Sequence, residues 1–185
     1  RALLAAALLA ASAAVALHLR LMRAALATGL RRELGRSFTL VRIAWALLAA
    51  SLPIALGVAL EWPVNGLPSA FGLVVIAGWL LTMLLGMLQR IVPFLASMHA
   101  IPGTGRPPTP STLTAPRPLA IHFWCHLVAL AALLLAIVAD SAALARVAAA
   151  VGAAGAIAFG ICCVIGRWRR CHPVRATATA RASVA

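Results

Sequence analysis

The sequence predicts an all-α fold: a polytopic transmembrane helix bundle of about five spans, with the N-terminus outside and the C-terminus in the cytoplasm. Three observations predict it. The first is composition. Hydrophobic residues make up 64% of the chain and charged residues only 10%, and the mean hydropathy is +1.03. A water-soluble domain carries about a quarter of its residues charged, so this chain lacks the polar cover a soluble surface needs. The second is the set of apolar runs, which approach the ~20 residues a helix needs to cross the hydrocarbon core. The third is the lack of apolar–polar alternation. Without it no barrel can form, and helices must satisfy the backbone in lipid.

The first run is Ala2 to Leu17. Snorkelling of Arg20 and Arg23 extends it to a span near 2–22. The run also fits a signal peptide, but the strongly basic segment after it resists translocation and favours a spanning helix. Because the chain opens on Arg1 and not Met, it is expected to be part of a longer bundle or a trimmed chain. The second span, near 43–60, lies between Arg42 and Glu61, with Trp45 and Trp62 at its ends. Indole rings prefer the membrane interface. The third runs near 71–95, with a continuation toward His99. The fourth lies near 119–139 and the fifth near 147–166, closed by "RWRR". Together they form a transmembrane bundle over 1–170. The loop 101–118, "IPGTGRPPTPSTLTAPRP", is denied helix by its prolines and is expected to be an extended cytoplasmic linker. Residues 171–185 are expected to form a disordered basic tail.

Arginine placement sets the orientation. The net charge is +13, carried by Arg with no Lys. Segment 18–42 holds Arg20, Arg23, Arg31, Arg32, Arg36 and Arg42, and segment 61–70 holds none. Segment 90–118 holds Arg90, Arg106 and Arg117, segment 140–146 only Arg146, and the tail after Gly166 is basic again. Basic and non-basic segments alternate, and the positive-inside rule then puts the N-terminus out and the C-terminus in. The expected setting is the bacterial inner (cytoplasmic) membrane, with the lipid bilayer and other membrane subunits as partners. Nucleic acid is excluded as a partner, because the arginines sit between apolar runs and form no stripe with interleaved aromatics.

Chemistry concentrates around "MLQRIVPFLASMH", residues 87–99. Two accounts stand open. In one, the span ends near Leu88, Arg90 snorkels to phosphates, and the rest lies along the interface. In the other, the helix continues to His99 with Arg90 one or two turns inside. Pro93 has no N–H, so the Gln89 carbonyl loses its helical partner. The fourth span adds "HFWCH", which places His122 and His126 on one helical face. Topology gathers His18, His99, His122 and His126 in the cytoplasmic half, where imidazoles are rare and usually face a bundle interior. Neutral imidazole can ligate iron, copper or zinc. Metal ligation is therefore assigned to His122 and His126, and cofactor binding to His122, His126, His99 and Arg90. Arg90 would pair with a haem propionate or a phosphate. The plainer alternative is that these histidines pack or lie at the interface. Met83 and Met87 could suit Cu(I), although a Met pair in a span also simply packs.

Small residues recur at four-residue spacing: Gly78, Thr82 and Gly86 on the third span, Gly152, Ala156 and Gly160 on the fifth. Such stripes let backbones approach closely, and Ala/Gly-rich composition produces them too. The four cysteines, Cys125, Cys162, Cys163 and Cys171, lack zinc-site spacing. Nucleotide-loop, nucleophile-elbow and HExxH patterns are missing, so no catalytic residue is assigned and the chain is not expected to be an enzyme.

The stretch "GWLLTMLLGMLQRIVPFL" (78–95) resembles a segment of bacterial polytopic membrane proteins of the haem-copper oxidase subunit I-like type. Gly86, Arg90, Ile91, Pro93 and Phe94 carry the resemblance. It implies an oxidase-like membrane scaffold able to bind haem or copper. The chain has no His-His pair, no H-x-H and no Tyr, so the implied subunit lacks its own oxygen-reducing centre. The alternatives are a transporter or permease-like fragment with an anion pathway at Arg90 and Pro93, or a structural or assembly subunit.

Overall fold

The computed structural model describes residues 2–27, 35–98 and 114–171, with backbone alone at residues 2 and 167–171. All regular elements among these residues are helices: α1 (Ala2–Ala27), α2 (Gly35–Ala59), α3 (Leu67–Met98), α4 (Pro116–Val138) and α5 (Ala142–Cys171). Five helices are long and apolar enough to cross a membrane. His99, the linker over 99–113 and the tail after Cys171 lie outside the described residues.

Helices α3, α4 and α5 begin about a turn before the apolar runs do, because capping and N-terminal-turn residues open them. Pro68 and Pro116 fall in the opening turns of α3 and α4, where a missing N–H costs nothing. Ser141 accepts the Leu144 N–H through its Oγ (3.3 Å) and so caps α5. The two tight turns use left-handed residues. Glu61 follows α2 at φ 53° and Asp140 follows α4 at φ 47°. Gly66, at φ 74°, precedes α3, and a Cβ there would meet Ile137 Cγ2 at 2.7 Å. Glycine is required at this turn both for its φ and for the approach of α4.

Consecutive helices pack antiparallel. Gly86 faces the first turns of α2 while Gly78 faces Leu47. Gly152 faces Ala129 and Gly155 faces Cys125, which fixes α5 against α4. One end of the α2–α5 bundle therefore gathers Arg36, Arg42, Arg90 and Arg117, and the other holds Glu61 and Asp140. The interior is lined by Leu40, Val41, Ala44 and Trp45 of α2, Val74 of α3, and Phe123, Ala129 and Leu130 of α4. The outer face carries large apolar side chains, among them Ile76, Trp124, Val138 and Ile157. This is the reverse of a soluble surface, where such patches are small. Helix α1 lies along α2, with the His18 and Trp45 rings edge-to-face at a centroid separation of 6.1 Å, and none of its apolar stretch is buried.

Residues 87–98 form one continuous helix, which is the helix continuation of the second account. Helix α3 runs through Pro93 to Met98, about 48 Å for its 32 residues. That exceeds the ~30 Å hydrocarbon core and slightly exceeds the ~40–45 Å of core plus headgroups. Val74–Leu81, in its middle, is π-helical. The widened turn leaves the Ala77 carbonyl to be met by the Thr82 hydroxyl (2.9 Å). Local π geometry of this kind often accompanies functional positions.

Candidate functional site

The site forms where α3, α4 and α5 meet around His122 and His126. Hydrogen-bond partners fix where each imidazole proton sits. His122 Nδ1 lies 3.0 Å from the carbonyl oxygen of Gly155. A carbonyl can only accept, so Nδ1–H donates. In the neutral ring Nε2 then carries a bare lone pair. That nitrogen is buried and meets no hydrogen-bond partner, on a residue only 3% exposed. Phe159 covers one side of the ring at 4.9 Å and the His126 ring stacks at 6.1 Å.

His126 is arranged the other way round. Its Nε2 lies 2.7 Å from Thr82 Oγ1, and that hydroxyl already gives its single proton to the Ala77 carbonyl. Nε2–H must therefore donate to Thr82, which leaves Nδ1 as the acceptor nitrogen. The two histidines of one helical face are thus opposite tautomers. One offers Nε2 to the interior, and the other ties α4 to the π-helical turn of α3. Thr82 is fully buried, as this role requires.

Glycine makes the His122 anchor possible. A Cβ at Gly155 would meet Cys125 Cβ at 2.8 Å and the His122 carbonyl oxygen at 3.6 Å. Any side chain there would push α5 away and lengthen the Nδ1 bond. On the fifth span the sequence points to Gly152, Ala156 and Gly160, but the tight approach belongs to Gly155. Gly160 has nothing within 4 Å. The seam takes in Gly152 and Gly155 and leaves Gly160 outside, and only the three-dimensional contact reveals that.

Gln89 shares the buried face of α3 with Thr82 and Gly86. It is 7% exposed, and both Oε1 and Nε2 are buried without a partner. Arg90, next in sequence, points outward. Its Nε–H donates to Ser37 Oγ (3.0 Å) and its guanidinium lies 5.7 Å from the Phe38 ring centroid. That cation–π contact ties the end of α3 to the start of α2. Pro93 sits inside continuous helix. Met83 is half-buried while Met87 faces outward. Cys162 Sγ–H reaches the Ala115 carbonyl at 3.8 Å, and Cys125, Cys162 and Cys163 are free thiols. Among the described residues no three His, Cys, Asp or Glu side chains converge. The structure therefore brings His122 and His126 together, holds Arg90 apart at the bundle's end, and leaves His99 outside the described residues.

Comparisons with protein-family models, with curated proteins and with solved structures find no match to this chain.

Proposed function

We propose that the chain is a multi-pass integral membrane protein of the bacterial inner membrane, N-terminus out and C-terminus in, and that it holds haem iron or copper through His122 as a non-catalytic subunit. One observation carries the reading: the His122 ring is fixed by its Nδ1–H bond to Gly155, while Nε2 is buried, bare and unpartnered. A metal-ligating histidine almost always donates its other N–H to a carbonyl or carboxylate, which fixes the tautomer and raises ligand basicity. The donor set fits a group that takes one imidazole from this bundle, as a five-coordinate haem iron does. A chelate through both Nε2 atoms fits poorly, because His126 Nε2 is committed to Thr82. Bound iron or copper would supply one-electron chemistry. The chain's own part is to hold the ring, exclude water with Phe123, Phe159 and the α5 backbone, and separate the site from lipid. Lipid solvates the outer faces, and the arginine-bearing end faces the cytoplasm.

The test is the absorption spectrum and metal content of the full chain, extracted in mild detergent from cells supplied with iron and copper. A Soret band or stoichiometric copper is expected, lost in His122→Ala and kept in His126→Gln. Colourless, metal-free wild-type protein would overturn the reading. Accessibility labelling of Cys variants in the 101–113 linker and the tail, both on the cytoplasmic side, tests the orientation.

A further inference from the structure

We propose that the arginine-bearing end of α2 and α3 binds the phosphate of an anionic phospholipid, whose acyl chains lie along the outer face of α3. The inference rests on the membrane reading above and on no part of the metal reading. Arg90 carries the argument, because it is a fixed cation. Its Nε–H donates to Ser37 Oγ at 3.0 Å, and its guanidinium lies 5.7 Å from the Phe38 ring centroid. Phe38 is in turn held edge-to-face by the buried Trp45, at a centroid separation of 6.0 Å. An arginine that merely snorkels reaches the headgroups on a long, unrestrained stem. Here the planar fork is set before any anion arrives, and such a fork matches a phosphate.

The second cation is Arg42. It follows Phe38 by one helical turn, which makes the two side chains neighbours on one face of α2. Arg42 and Arg90 are both exposed. Of the acidic residues, Glu61 and Asp140 lie at the opposite end of the bundle. Glu33 lies outside the described residues and stands in sequence among Arg31, Arg32 and Arg36, so this end keeps its positive charge. Charge alone would equally suit a soluble anion, and the surroundings of Arg90 decide for a lipid. Met87 and Phe94 are its neighbours at helical spacing. With Leu84 and Ile91 they form one face of α3, and all four are exposed and apolar. Leu84 and Met87 lie on the side of Arg90 toward the middle of the bundle, where acyl chains run. Basic groups at helix ends with hydrocarbon beside them recognise lipid headgroups in this way.

The test titrates the full chain in mild detergent with phosphatidylglycerol and reads the fraction of protein retaining lipid by native mass spectrometry. Phosphatidylcholine, whose phosphate is offset by its own cation, and inorganic phosphate are the other probes. Wild type should prefer phosphatidylglycerol to phosphatidylcholine, and an excess of inorganic phosphate should not displace it. Arg42→Gln and Arg90→Gln should each weaken retention about fivefold. Arg117→Gln, at the same end but on α4, should leave it unchanged. Where Arg90→Gln fails to fold, the exposed Arg42 supplies the deciding variant. Equal retention of the two lipids would overturn the proposal, as would full retention in Arg42→Gln. Displacement by inorganic phosphate would mark a soluble-anion site instead, and an equal loss in Arg117→Gln would mark diffuse charge; either result sinks the lipid site. Failure of the membrane reading would show earlier, as protein recovered from lysate without detergent. Metal content and colour bear on none of these outcomes, so the metal reading stands or falls separately.

Discussion

Two glycine seams hold this bundle, and they do different work. At the α2–α3 seam a Cβ on Gly86 would meet the Ser37 carbonyl oxygen and Val41 Cγ2, each at 2.9 Å. At the α4–α5 seam a Cβ on Gly155 would meet Cys125 Cβ at 2.8 Å. Both glycines let backbones approach, as small residues do in membrane helix pairs. Only Gly155 also lends its carbonyl to a side chain on the facing helix. The first seam is packing alone. The second couples packing to the tautomer of His122. Substitutions at the two should therefore separate stability from imidazole chemistry.

Gly155→Val should have the largest effect. It overpacks the seam and withdraws the acceptor from a buried imidazole N–H, so a loss of roughly 3 kcal/mol or more is expected. Thermal unfolding in detergent reads the stability. The ¹⁵N resonances of His122 should move with it, because the Nδ1 bond is broken. If the protein unfolds early while His122 keeps its wild-type resonances, the coupling of packing to tautomer is wrong.

Gly86→Ala should cost about 2 kcal/mol, since a backbone carbonyl and a branched side chain must give way together. His122 should be unaffected. A matching change in the His122 resonances would erase the distinction between the seams.

Thr82→Val sharpens the comparison from a third side. It removes the hydroxyl that accepts from His126 and donates to Ala77. The loss should be about 1–3 kcal/mol, because a buried imidazole N–H is left without an acceptor. Thr82→Ser should restore most of it. Failure of serine to rescue would mean the threonine methyl matters here and the hydroxyl does not.

The sequence made the five helices legible for a simple reason. Apolar runs of the required length can do little else in this composition. It misplaced the starts of α3, α4 and α5 because Pro68 and Pro116 lie inside opening helical turns and Ser141 caps the next, none of them part of an apolar run. The pairing of His122 with His126 on one face was legible from spacing. Their opposite tautomers were not, since these depend on Thr82 and Gly155, far away in sequence. Gln89 stood out as awkward beside Arg90, yet only the fold turns Gln89 inward and Arg90 outward. Small-residue spacing found the α3 seam, where Gly78, Thr82 and Gly86 all make contacts. On α5 it selected Gly152, which does face Ala129, but also Ala156 and Gly160, and passed over Gly155, the position of closest approach.

That near miss yields the smallest predicted effect. Gly160 has no neighbour within 4 Å of a would-be Cβ, and it lies inside α5. Alanine there meets no helix and restricts the unfolded chain, so Gly160→Ala should be neutral or stabilising by up to about 1 kcal/mol. Its unfolding midpoint set against that of Gly155→Ala is the cleanest contrast, because the two positions differ by little more than their place around one helix. A clear loss at Gly160 would mean that this face of α5 is covered by another packed surface, such as a second subunit against the small-residue stripe. The α4–α5 seam would then be one of two glycine contacts on this helix, and the stripe legible in the sequence would mark the other.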